Sequence, residues 1–128
     1  MNEKEVIAYW KNSSKKDFET GKILYQNKRY HYALFFCHLS IEKMLKALVI
    51  KKTQSAPPLI HDLVRLVEKT GVLVLDQYKK ELAEISTFNI QTRYDDYKLS
   101  FYKKVTKQFL LRYLDKTKVI LKWLNEQF

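Results

Sequence analysis

Between Tyr30 and Lys52 the sequence reads Tyr-His-Tyr-Ala-Leu-Phe-Phe-Cys-His-Leu-Ser-Ile-Glu-Lys-Met-Leu-Lys-Ala-Leu-Val-Ile-Lys-Lys, with no glycine or proline to interrupt it. The length and composition predict one helix. Its first half is apolar nearly all round, which marks an element enclosed by others rather than one lying on a surface. Its second half is amphipathic through Ile41, Met44, Leu45 and Leu48. Yet His38, Glu42 and Lys46 recur along it at four-residue steps, so a polar stripe runs down an otherwise buried helix. A charge facing the interior is tolerated only when a partner or water satisfies it, so this stripe is where function is to be sought.

The rest of the chain supplies helices to enclose that one. Two Gly and two Pro in 128 residues, with Lys, Leu, Glu and Gln elsewhere, favour an all-α protein because these side chains lose little freedom in a helix. A first helix is expected from about Glu3 to Gln26, with Ile7, Trp10, Ser14, Asp17, Gly21 and Leu24 on its inward stripe. Asn27 to Arg29 form a turn, and Pro57-Pro58 stops any helix after Lys52. A short helix follows from about His61 to Thr70, ended by Gly71, and another from about Asp76 to Phe88. Asn89 to Leu99 loses periodicity. A last helix begins between Phe101 and Lys107 and presents Leu110, Tyr113, Leu114, Thr117, Leu121 and Leu124 on one face. Short connections make successive helices antiparallel, so the expected architecture is an up-and-down four-helix bundle with one short additional helix in the crossover, residues 1–128 forming one domain. Cys37, the only cysteine, reads as a small buried hydrophobe. No segment has the length and apolarity of a signal peptide or membrane span, so a soluble cytoplasmic protein without membrane partners is expected.

The formal charge is +10, from 24 Lys and Arg against 14 Asp and Glu. From Lys98 onward eight basic residues face only Asp115 and Glu126. Such a surplus is either a solvated outer face or a surface for anions. Ser14 and Asp17, on the inward stripe of the first helix, join the polar stripe if the first two helices are neighbours, and Asp17 or Glu42 paired with Lys46 would then serve packing alone. His31 and His38 share a face but stand roughly 10 Å apart at 1.5 Å per residue, too far to hold one metal ion, and His61, at the start of its helix, is expected to be a packing or capping residue that joins this helix to the bundle. Neither a metal nor a cofactor is expected. The two glycines, Gly21 and Gly71, do not make a phosphate loop, and no nucleophile motif is present.

Trp10, Asp17, Lys28-Arg29-Tyr30, Ala33 to His38, Ile41 to Ala47, His61-Asp62-Leu63 and Thr92-Arg93-Tyr94-Asp95-Asp96 follow one another in an order and spacing that resembles the HEPN family. Asp95 stands where relatives often have proline, and Ala47 where an arginine often follows the lysine of the second-helix motif, here Glu42-x3-Lys46. The resemblance implies a four-helix bundle that commonly forms homodimers. Many members are metal-independent ribonucleases marked by an arginine, four to six residues, then a histidine. After Arg93 those positions are Lys98, Leu99 and Ser100, and no histidine follows His61. The imidazole that such catalysis uses near neutral pH is missing from that place. The resemblance therefore implies a non-catalytic nucleotide- or substrate-binding subunit that works with a separately encoded small nucleotidyltransferase, as in a toxin-antitoxin pair. Its binding residues would be His38, Glu42, Lys46, Arg93, Tyr94 and Asp96, supported by Ser14, Asp17 and His61, with Tyr94 and Tyr97 placed to stack on a base or accept a nucleotidyl group. A ribonuclease with a divergent site around His38, Glu42 and Arg93, and a helical scaffold without nucleotide chemistry, are the alternatives.

Overall fold

A helix that is apolar on every side needs neighbours on every side, and α2 (Tyr30–Thr53) has them. The computed structural model describes all residues from Met1 to Phe128. Around α2 stand α1 (Glu3–Gln26), α3 (Leu63–Thr70), α4 (Asp76–Gln91) and α6 (Lys107–Asn125), with a five-residue helix α5 (Ser100–Lys104) between the last two. Fifteen of the 24 residues of α2 are buried, against two of the 24 in α1, so α2 is the axis and α1 an outer wall. Leu34, Cys37, Ile41, Leu45 and Leu48 of α2 meet Leu63 and Leu66 of α3, Leu82 and Ile85 of α4, and Leu110, Ile120 and Leu124 of α6 in one continuous core. At about 2 kcal/mol for each fully buried aliphatic side chain, this cluster is the main source of stability.

The contacts fix the directions. Trp10 meets Lys46, Ser14 meets Ser40 and Gly21 lies beside Ala33 and Phe36, so α1 and α2 run antiparallel along their length. The α1 residues from Lys11 to Lys22 face the end of α6 while Tyr25 and Gln26 face its start, which makes α1 and α6 antiparallel too. Hence α2 and α6 point the same way, and they pack directly on each other. In contrast, α1 and α6 touch over only a few residues.

The all-α bundle expected from the sequence is the one observed, with three local differences. The short helix begins at Leu63 rather than His61, because Asp62 adopts an extended backbone and its carboxylate accepts hydrogen bonds from the N–H groups of Val64 and Arg65. Helix α4 runs on to Gln91, since Phe88 and Asn89 are buried and hold that turn against the core. Beyond it lies a second short helix, α5. Its first N–H groups are capped by Asp95, whose carboxylate accepts from Phe101 and Tyr102, while Asp96 accepts from Ser100. The Asp95 carboxyl is partly desolvated, which opposes ionisation, but its backbone donors outweigh this and hold its pKa below the ordinary value. The Ser100 N–H and hydroxyl do the same for Asp96.

At Gly21 the backbone of α1 lies against α2, where an added Cβ would meet the Phe36 Cβ at 3.5 Å and the Ala33 carbonyl oxygen at 3.6 Å. Those are ordinary contact distances. Gly21→Ala should therefore raise stability by up to about 1 kcal/mol through helix propensity, whereas Gly21→Leu should wedge the helices apart and cost about 1–3 kcal/mol. Urea unfolding of the two variants checks the opposite signs.

Candidate functional site

The polar stripe of α2 closes on itself through the segment before α3. Glu42 is 4 % exposed, and both of its carboxylate oxygens are occupied. Lys46 Nζ donates to Oε2 at 3.0 Å and His61 Nδ1 donates to Oε1 at 2.9 Å. One helical turn before Glu42, His38 is fully buried and donates from Nε2 to the backbone carbonyl of His61 at 3.0 Å, with the Glu42 Oε1 3.8 Å away. Two α2 side chains thus clamp one residue, His61, by its ring and by its carbonyl. The connection between α2 and α3 is held there by hydrogen bonds rather than by apolar packing, and Leu63 N–H donates to the Ser86 hydroxyl to join α4 as well.

The clamp decides the state of His38. A carbonyl oxygen only accepts, so Nε2 carries the hydrogen and Nδ1 of the neutral ring is bare. Nδ1 is buried and has no partner. Burial disfavours the charged ring and pulls the His38 pKa below 6.5, with the His61 and Arg93 charges acting in the same direction, against the raising effects of the His61 carbonyl and Glu42. His38 is a neutral donor at physiological pH.

Above His38 the Phe35 ring lies nearly parallel to the imidazole, 12° off with centroids 6.5 Å apart, and the Arg93 guanidinium stands 5.4 Å from the Phe35 centroid. Arg93 comes from the end of α4. Its Nε donates to the Asn89 carbonyl at 2.8 Å and one terminal nitrogen donates to the Asn89 Oδ1 at 3.1 Å, so the fork is fixed from behind. Tyr94 flanks it at 5.4 Å, its side chain 70 % exposed. At the other end of the stripe Lys46 is 7 % exposed and its ammonium stands 5.6 Å from the Trp10 ring, a cation–π contact that together with Glu42 uses its charge internally.

Of the residues picked from the sequence, His38, Glu42, Lys46 and His61 therefore form one hydrogen-bonded group, with Arg93 and Tyr94 stacked at its His38 end through Phe35. Three others lie elsewhere. Ser14 donates to the Ser40 carbonyl in the α1–α2 seam, Asp17 pairs with Lys43 at 2.7 Å, and Asp96 caps α5. The pairing of Glu42 with Lys46 is the one realised, because Lys43, one residue past Glu42, points to α1 and takes Asp17. His61 does not cap or begin α3, which Asp62 does, but it joins the segment before α3 to α2 through its ring and its carbonyl. Sequence reasoning missed Phe35 and Asn89, although both carry a legible signal: Phe35 precedes His38 by three residues and Asn89 precedes Arg93 by four, the intervals that bring helical side chains together. No three His, Cys, Asp or Glu side chains are arranged to hold a metal ion, and burial pushes the Cys37 thiol up to about 12, far from a reactive thiolate.

The model of the HEPN domain family matches residues 7–127. Comparison with curated proteins and with solved structures returned no match.

Removing one member of a buried ion pair leaves the other charge uncompensated, whereas replacing both by apolar groups of similar size does not. Glu42→Ala should destabilise the protein by about 3–5 kcal/mol, and Glu42→Leu combined with Lys46→Met should recover most of that loss. Equal losses in the single and double variants, measured by urea unfolding, would show that the charges are not coupled.

Proposed function

The chain belongs to the HEPN domain family, and from that premise we propose that residues 1–128 form one HEPN domain that acts as a homodimeric, non-catalytic binding subunit for nucleotide or RNA phosphate. Its partner in this reading is a separately encoded small nucleotidyltransferase, in a cytoplasmic pair of the toxin-antitoxin kind. The observation that carries the non-catalytic part is the sealed state of His38. Its Nε2 is spent on the His61 carbonyl and its Nδ1 is shut away from solvent, so neither nitrogen can exchange a proton with a substrate. At the three positions where a ribonuclease of this family carries its histidine, Lys98 leans over the Tyr97 ring, Leu99 takes a left-handed backbone and Ser100 starts α5.

Arg93 supplies the binding chemistry. A guanidinium has five N–H donors in a fixed fork, and Asn89 engages two of them, which leaves the outer edge for a phosphate. The Tyr94 ring beside it offers a face to a base, and the Tyr97 side chain, 91 % exposed, presents its hydroxyl where a transferase can reach it. Glu42, Lys46 and His38 act behind this surface. They hold the α2 to α3 connection and the Phe35 platform in place instead of touching the ligand.

A second reading has its own observation. The His61 side chain is 60 % exposed while its Nδ1 is fixed on the Glu42 carboxylate, the arrangement of an oriented imidazole open to solvent. That pair would serve a metal-independent ribonuclease with a divergent site made of His61, Glu42 and Arg93.

Two assays on the purified protein separate the readings. Binding of a nucleoside triphosphate should weaken about tenfold in Arg93→Ala, the loss of one charge-assisted contact, while unstructured and structured RNA incubated with excess protein stay intact. RNA cleavage that disappears in His61→Ala would replace the binding reading with the ribonuclease one, and nucleotide affinity unchanged in Arg93→Ala would remove the proposed ligand surface.

A further inference from the structure

The furrow between α1 and α6 shares no residue with the Glu42 group or with Arg93, and it has the features of a second recognition surface. Two adjoining hollows of about 400 Å³ and 290 Å³ meet at Phe18 and Lys22 and continue one another along the helices. The furrow exists because both helices pack on α2 while hardly touching each other. It extends along α1 from Lys11 to Gln26 and along α6 from Leu111 to Asn125, roughly 20 Å at 1.5 Å per residue. Its floor is apolar: Phe18, Leu111 and Leu121 are half-buried, with Met44 and Leu114 beneath them. Its walls are basic. Lys11, Lys15 and Lys22 stand on the α1 side and Lys118 and Lys122 on the α6 side, with Glu19 and Asp115 as the acidic residues among them. None of these five ammonium groups lies within 4.0 Å of a carboxylate, whereas Lys43 and Lys46 inside the bundle each have one. Two of them rest on rings instead, Lys11 over Phe128 at 3.8 Å and Lys22 over the floor residue Phe18 at 5.4 Å.

We propose that this furrow docks an acidic amphipathic helix of a partner protein. A helix of about four turns matches its length, an apolar stripe at i, i+3, i+4 and i+7 would cover the floor, and carboxylates on either side of that stripe would meet the two lysine rows. Charge complementarity selects this occupant. A second copy of this chain would bring a net charge of +10 towards lysine rows that already lack counter-charges. A nucleic-acid strand would satisfy the lysines but leave the aliphatic floor uncovered. The proposal stands apart from the Arg93 reading, since the two surfaces have no residue in common.

The test uses a labelled synthetic peptide of about 14 residues with leucines on one helical face and glutamates flanking them, beside a scrambled peptide of the same composition. At about 0.15 M salt, where unspecific attraction is largely screened, the patterned peptide should bind at one site and the scrambled one about tenfold more weakly. Lys15→Glu with Lys118→Glu should weaken binding about tenfold, and Lys98→Glu with Lys103→Glu, which carry the same charge change outside the furrow, by less than about twofold. Circular dichroism confirms that both double variants are folded. Equal affinity for the two peptides, or equal losses in the two double variants, would reduce the furrow to a general positive field and overturn the proposal. So would an RNA oligonucleotide that displaces the patterned peptide and loses its own affinity in the furrow variant alone.

Discussion

Everything around the site depends on the Glu42 carboxylate, a charge buried in the middle of the bundle and satisfied from two parts of the chain. An isolated carboxylate in that position would be neutralised or would unfold the protein, because desolvation outweighs anything packing offers it. Lys46 supplies the opposite charge from one turn further along α2, and His61 supplies a directed hydrogen bond from another segment. The interaction therefore ties secondary to tertiary structure. It sets where the chain must pass after Pro57-Pro58, and thereby where Asp62 begins α3 and where Leu63 meets α4. Ion pairs of this kind add little net stability over an apolar equivalent, so their value here lies in position: the polar group fixes one arrangement of a connection that apolar packing alone would leave slack.

The same fixation governs chemistry. With its Nε2 tied to the His61 carbonyl, His38 becomes part of the frame, and Arg93, Tyr94 and His61 are the exposed polar groups around it. Arg93 is held by Asn89 and lies over Phe35, which itself lies on His38, so the guanidinium is supported by a column that reaches down to Glu42. Binding by a preorganised arginine loses less side-chain freedom than binding by the flexible lysines of the C-terminal helix.

The fold was largely readable because α2 is apolar on all sides and the other helices are apolar on one, which allows a single way of nesting them. The boundaries that escaped are those set by individual polar contacts: the start of α3 by Asp62, and the existence of α5 by Asp95 and Asp96, side chains that in sequence look like any acidic loop. The stripe His38, Glu42 and Lys46 was legible from spacing alone, and Arg93 from its motif. What spacing does not carry is which lysine turns inward and which outward. Lys43 and Lys46 are both near α1, yet Lys43 reaches Asp17 across the seam and Lys46 folds back on Glu42 beneath Trp10, so the polar network expected to include Ser14 and Asp17 splits in two. The α1–α6 furrow was invisible for a related reason. The lysine-rich face of the last helix is plain in sequence, but that α1 stops short of covering the apolar strip beside it is a consequence of both helices being drawn to α2.

The most direct measurement is the protonation state of His38 followed by nitrogen-15 NMR of the imidazole ring as pH is lowered. A neutral ring with its hydrogen on Nε2 is expected, and a titration midpoint below 6.5, because burial and the unpartnered Nδ1 oppose a second proton. A ring that titrates at or above 6.5, or that carries its hydrogen on Nδ1, would contradict it, since the clamp on the His61 carbonyl would then be absent and His38 would be open to proton exchange.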